Sequence, residues 1–235
     1  MRASPVTARA RPKSASAAGR TRRDPEGTRR KILGAATGEF ARHGYGGARI
    51  ERISTRARTV DRMLYYYFSS KEGLFRAVLE KSYEDLGQAE QALNLRDAPP
   101  LEGMKELIAF TWNYYLEHPE FIRILNSENS QRGVHLRRAQ RVSALAFPLL
   151  TILKNLLDRG AKEGVFRKDT DPLQIYITIA ALGYFYLSNR YTLSRFLDTE
   201  LMSENSLASR LEHIQQVVLA YLCPPPNRRR ASSRS

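Results

Sequence analysis

The sequence predicts an all-α protein, with a small three-helix head that contains a helix-turn-helix and a larger C-terminal helical bundle. Three observations carry that prediction. From residue 24 onward apolar residues recur every three or four positions, and no alternating strand pattern persists. Two short periodic pieces, "RIERISTRA" and "DRMLYYYF", stand only a few residues apart, the arrangement of two helices and a tight turn. With 235 residues, 42% hydrophobic and 26% charged, the chain has the composition of a soluble globular protein large enough for a real core.

Each element follows in order. Asp24 caps a first helix that opens on Pro25, and Ile32, Ala36 and Phe40 then recur every fourth residue until "HGYGG" supplies a turn. The next two helices bury Ile50, Ile53 and Ala57, and then Leu64 and Phe68. Ser69 and Glu72 have capping-box spacing for a bridging helix with Leu74, Val78 and Leu79 on its apolar side. "NLRDAPP", residues 94–100, reads as a linker. Leu101, Met104, Ile108 and Tyr115 mark a helix ending near His118 and Pro119, with a short one over residues 119–126. "ILNSENSQRGVHLRR", residues 124–138, reads as a solvated loop; the alternative is that Asn126, Glu128, Asn129 and Arg132 orient a ligand.

Residues 135–162 are expected to form a long helix that Pro148 kinks or divides. Asp171 and Pro172 start a near-all-apolar helix to about residue 191, too short and too polar at Gln174 and Thr178 to span a membrane. A last helix over about 205–222 carries Leu207, Leu211, Ile214, Val218 and Tyr221 on one stripe. The expected organisation is a disordered basic arm (1–23), a helix-turn-helix domain (24–70), a bridging helix with a ligand-binding and dimerisation bundle (71–223), and a disordered basic tail (224–235).

Charge says where to look for function. Of the formal +14, residues 1–30 supply a surplus of seven and residues 224–235 a surplus of four, leaving +3 for the folded body. Such arms are drawn to polyanions or simply solubilise the chain. The single cysteine, Cys223, excludes an intramolecular disulfide, and the four histidines show no metal-ligand spacing. No activated nucleophile, paired acid and base or phosphate-binding glycine loop is present, so neither an enzyme nor a cofactor is expected.

Three adjacent tyrosines remain. With Leu64 and Phe68 turned inward, Tyr65, Tyr66 and Tyr67 fan around the rest of the helix. A phenol offers a flat apolar face to thymine methyls and sugars and a hydroxyl to phosphate oxygens. Lys71, in the first turn of the bridging helix, stands where unpaired backbone N–H groups and a cation hold one phosphate together. Six arginines (Arg42, Arg49, Arg52, Arg56, Arg58 and Arg62) crowd the same region and form the electrostatic footprint that duplex DNA selects. Arg62 is placed for bidentate contact with guanine and Arg49 and Arg52 for phosphates, while one or two of the six are expected merely to pair with Glu39, Glu51 or Asp61.

The pieces "ILGAATGEFARHGY", "RIERIS", "LYYYF" and "SKEGLFRAVL" stand in the order and spacing of the DNA-binding region of the TetR/AcrR family of bacterial transcriptional regulators, which residues 28–80 resemble. "GVFRKDTDP", residues 164–172, resembles a segment between that family's late helices. The resemblance implies that Tyr65, Tyr66, Tyr67 and Lys71 touch base edges and phosphates, and that Thr59 and Arg62 lie near base-reading positions. One departure stands out: where the family has Ala-Gly-Val-Ser at the turn, this chain has "ARTV". Arg58 replaces the glycine and Val60 the capping serine, at about 1 kcal/mol each, unless Asp61 takes over as the cap.

The resemblance further implies a cytoplasmic, nucleoid-associated repressor of a double-stranded DNA operator, free of membrane, and released by a small-molecule effector; an effector-independent dimer is the alternative. Palindromic sites require a symmetric dimer, and the last two helices are the most apolar surfaces available for one. Trp112, Tyr115, Phe147, Tyr184 and Phe185 lie on helices placed to line an effector cavity or to form plain core.

Overall fold

The computed structural model describes residues 24–139 and 148–223. The predicted basic arm, the basic tail and Phe147 lie outside them. Among the described residues there are ten α-helices and no strand. Helix α1 (Pro25–Gly47) starts as its sequence demands, with the Asp24 carboxylate accepting the Gly27 N–H at 2.8 Å. It bends at Gly44, whose φ of 64° and ψ of 177° lie in a region essentially reserved for glycine. Helices α2 (Ile50–Arg56) and α3 (Asp61–Phe68) bury Ile50, Ile53, Leu64 and Phe68 as their spacing predicts. With Ile32, Ala36 and Phe40 of α1, they close the core of the head.

The bridging helix α4 (Lys71–Gln91) belongs to both halves. Leu74, Phe75, Val78 and Leu79 complete the head core, whereas Tyr83 and Leu86 pack on the bundle. Its cap corrects the sequence reading. Ser70, not Ser69, accepts the Gly73 N–H at 2.9 Å, because Ser69 is used up in the left-handed turn that ends α3, at φ 65°. Glu72 does not reach back to complete a capping box; it pairs with Arg138 at 2.6 Å.

The bundle comprises α5 (Pro100–Glu117), α6 (Pro119–Ser130), α7 (Pro148–Lys162), α8 (Pro172–Ser188), α9 (Arg190–Leu197) and α10 (Glu204–Leu222). Residues 94–99 are the expected linker. Three other boundaries differ from expectation. The short helix at 119 runs on to Ser130, so Asn126, Glu128 and Asn129 are helical and Glu128 is buried, not part of a solvated loop. Residues 136–138 form a single 3₁₀ turn, and residues 148–162 are helical, so the expected long helix does not run unbroken from residue 135. The apolar helix ends at Ser188, and a separate short helix, α9, follows with no residue buried in its own chain.

Inside the bundle, α8 packs on α5 through Ile175, Ile179, Gly183 and Leu187. A Cβ at Gly183 would meet the Tyr115 ring at 3.4 Å and Trp112 at 3.6 Å, ordinary contact distances, so this glycine lies directly against the aromatic rings of α5. Helix α10 turns Ile214, Val218 and Leu222 inward. Tyr221, predicted on the same stripe, is exposed instead, with the Arg167 guanidinium 4.3 Å from its ring centre.

Candidate nucleic-acid interface

The turn between α2 and α3 is held by backbone and by one side-chain link. The Thr59 N–H donates to the Ser54 carbonyl at 3.0 Å, and Arg58 sits at φ 53°, in the left-handed conformation a glycine would adopt without strain. Val60 precedes α3 with no side-chain cap. Asp61 does not replace the missing cap. Its carboxylate instead accepts the buried Ser54 hydroxyl and ties α3 to α2 across the turn. Sequence reading missed this link, although a serine on the buried face of α2 has to find an acceptor.

With Leu64 and Phe68 in the core, the rest of α3 faces outward. Arg62 is exposed, and Tyr65 and Tyr66 are 51% and 76% exposed, well beyond what a packing role requires. Tyr67 is different: it is half-buried, packs on the head core and meets Tyr66 edge-on at 5.1 Å. The three tyrosines therefore divide into two outward rings and one that braces them. Thr59 is half-buried and Arg58 is exposed in the turn, whereas Arg56, also exposed, reaches toward α1 at Gly38.

The two arginines predicted to bind phosphate are engaged at Glu39. This carboxylate is 4% exposed and accepts from Arg52 Nε at 2.6 Å and from the Arg49 backbone N–H at 3.2 Å. Arg52 also donates to the Gly47 carbonyl at 2.8 Å. Burial by itself would raise the Glu39 carboxyl, but the Arg52 and Arg49 bonds and the charges of Arg52 and His43 hold it below the usual value. Arg52 is thus a clamp between α1 and α2, whereas the Arg49 side chain is exposed and contributes only its amide.

Lys71 stands at the first position of α4, its ammonium 5.1 Å from the Tyr45 ring centre and 3.4 Å from the Gly46 carbonyl. Burial lowers its pKa and the nearby Glu39 charge partly offsets that. The side chain is held beside an N-terminal helix turn, the position an incoming phosphate needs.

Residues 32–78 match the family described as bacterial regulatory proteins, tetR family, and residues 100–218 match a tetracyclin repressor-like C-terminal domain. The chain belongs to the TetR family of transcriptional regulators. It is 45% identical over 192 residues to the HTH-type transcriptional repressor NicS of Pseudomonas putida, covering 82% of this chain and 91% of that protein. It is 40% identical over 111 residues to the HTH-type transcriptional repressor SCO4008 of Streptomyces coelicolor, covering 47% of this chain and 54% of the relative. Among solved structures, FadR from Bacillus subtilis in complex with stearoyl-CoA superposes with a TM-score of 0.64 at 16% identity, over 82% of this chain and 98% of that one. A transcriptional regulator from Streptomyces coelicolor, SCO4942, gives 0.61 at 23% identity, over 84% and 99%. These two establish the TetR fold alone.

The predicted effector-cavity residues do not form one set. Trp112 and Tyr115 are buried in the bundle core, and Tyr184 is half-buried, its hydroxyl bonded to Asn126. Phe185 is 57% exposed on the outer face of α8, so it lines no interior space within this chain. A cleft of about 690 Å³ opens elsewhere, between the end of α4 and the start of α7, with Gln91, Leu93, Leu95, Pro148 and Ile152 among its walls.

Proposed function

We propose that this TetR-family regulator is a homodimeric repressor that reads an inverted-repeat operator with α3 and leaves it when a small molecule enters the bundle. One observation carries the proposal: Arg62, Tyr65 and Tyr66 stand free on the outer face of a short helix whose inner face is locked into the head. Arg62 supplies two parallel donors for a guanine, the phenols contact sugars, methyls and phosphates, and Lys71 with the start of α4 takes a backbone phosphate. The repressor sign is supported by the names of NicS and SCO4008.

Dimerisation is supported by apolar surface that one chain leaves uncovered. Leu173, Ile177 and Phe185 form an exposed stripe on α8, and Val217 and Tyr221 stand exposed on α10. Two copies pairing these helices about a two-fold axis would bury both stripes in a four-helix contact.

An effector is supported by polar chemistry deep in the bundle. Glu90 is 4% exposed and burial raises its carboxyl to about 7, partly countered by the Leu149 N–H it accepts at the head of α7. Tyr83, pushed up to about 12 by burial, and Tyr115, also raised by burial, share this interior. Glu90, beside Gln91 and bonded to Leu149 next to Pro148, adjoins the cleft of about 690 Å³, and a buried acid at such a cleft is a group that orients a small molecule. The experiment is selection of bound duplexes from a random pool, followed by release assays with compound collections. An enriched inverted repeat is the expected result; failure to retain any duplex at low salt would overturn the reading.

A further inference from the structure

Helix α6 belongs to two cores at once. Phe121 and Ile122 pack into the bundle, whereas Ile124, one turn further on, is fully buried in the head. Beyond Leu125, three consecutive residues each hold a different part of the molecule. Asn126 donates to Ser188 at 3.0 Å and accepts from Tyr184, fastening α6 to α8. The Ser127 hydroxyl accepts the Tyr45 N–H at 2.9 Å, beside the bend of α1 at Gly44. Glu128, 2% exposed, accepts three bonds: from the backbone N–H of His135 at 2.8 Å, from that of Leu136 at 2.9 Å and from His135 Nδ1 at 2.7 Å.

These bonds bend the chain back onto the head. The return passes through Arg132 and Gly133, both with positive φ (58° and 67°), so its direction depends on what anchors its far end. That anchor is His135, 4% exposed, whose ring meets Tyr45 at 4.5 Å and Phe75 at 4.9 Å. Arg138 then pairs with Glu72, the neighbour of Lys71. Tyr45 also carries the Lys71 ammonium over its ring. A carboxylate accepting three buried donors cannot be lost without leaving all three unsatisfied, a stiff joint by the energetics of buried polar groups.

We propose that Glu128 and His135 are positioning residues that fix the angle of the head on the bundle and thereby set which spacing between half-sites the dimer accepts. The proposal rests on the dimeric, inverted-repeat reading above. Helix α3 packs on α2 and α4, whereas the joint reaches the head through α1 and through Phe75 and Glu72 of α4, so none of its named contacts is made with the reading helix itself. Rotation at the joint carries Arg62 and Tyr66 along as a rigid body. The contacts within one half-site survive such a rotation; the distance between the two heads does not.

The test uses the full chain and a selected half-site, placed once on a duplex or twice as inverted repeats with a graded series of spacers. Wild type should bind one spacer length best. In Glu128→Gln, which keeps the shape but sets an amide against His135 Nδ1–H, the ratio of best to next-best spacer should fall by about tenfold, the size of a typical coupling effect. Affinity for the single half-site should stay within about twofold, a comparison that general unfolding would fail. Ser127→Ala, which removes only the acceptor for Tyr45 N–H, should show the same change at about threefold and carries the test alone if Glu128→Gln does not fold. If wild type discriminates sharply and both variants keep its profile, the positioning role is refuted while the dimeric reading stands. A flat profile for wild type refutes both.

Discussion

Arg62 and Tyr66 share one short helix but should fail differently when removed. A bidentate arginine discriminates a guanine from the wrong base by about 1–3 kcal/mol. Arg62→Ala should therefore relax preference at one base pair per half-site, read by competition among operators mutated at single positions. Tyr66, the more exposed of the two outward rings, has no reach that singles out one base, so Tyr66→Ala should weaken binding across sequences by a similar factor. Equal losses on every duplex for Arg62→Ala would remove its assigned role. Arg52 makes the opposite prediction, because its partner Glu39 is buried and its pKa is held down in the folded state. The unfolded chain binds the proton first as pH falls, so the stability this pair contributes is present above the ordinary glutamate value. It is lost as pH drops through the lower, folded one. Arg52→Ala should cost about 1–3 kcal/mol near neutral pH, with Glu39 left short of a donor, and the penalty should shrink in acid. Denaturant midpoints over a pH series measure it; a penalty independent of pH would mean the clamp acts by packing alone.

The helix-turn-helix shows at the scale of elements what was legible in the sequence. The four-residue spacing of Leu64 and Phe68 fixed which face of α3 is buried, and the outward course of Tyr65 and Tyr66 followed from it. The left-handed conformation at Arg58 is the one implied by the family's glycine at this position, and the turn keeps it with arginine in its place. What local pattern could not show was partner choice. Glu39 is expected to pair with an arginine of this region, but its spacing does not say which one, and Ser54 with Asp61 and Glu128 with His135 are contacts across elements that the spacing of neither partner names. Ser69 and Glu72 looked like a cap because the box has the right offset. The left-handed stop of α3 consumed Ser69 and shifted the cap by one residue. The turn itself is therefore open to improvement. Arg58→Gly relieves a side chain in the left-handed region and Val60→Ser restores a cap, each by about 1 kcal/mol. The double variant should melt several degrees higher than wild type with the same operator preference. No gain in melting temperature would show that the Ser54–Asp61 link already does the work of the missing cap.

At the scale of the whole molecule, the decisive feature is that one chain does not cover its own apolar surface. Helix α8 is apolar on nearly every side, yet its own bundle fully buries Ile175, Ile179, Gly183 and Leu187, takes Tyr176, Leu182, Tyr184 and Tyr186 in part, and leaves the opposite side in water. The sequence marked the helix as hydrophobic all round but could not say which face stays at home; Phe185, expected to point inward, points out. A stripe of Leu173, Ile177 and Phe185 left in water would be a standing liability for a monomer. Ile177→Asp tests whether a second copy covers it. The residue is 49% exposed, so a carboxylate there reaches water in the separate chain and the fold should survive with unchanged helicity. In a closed two-fold contact the same carboxylate is desolvated twice, once from each subunit, at a cost of several kcal/mol. Sedimentation should then show monomers at concentrations where wild type is dimeric. Affinity for the inverted repeat should fall toward that for a single half-site, because the second head no longer arrives with the first. A variant that remained dimeric and bound the repeat like wild type would place the two-fold axis on some other surface.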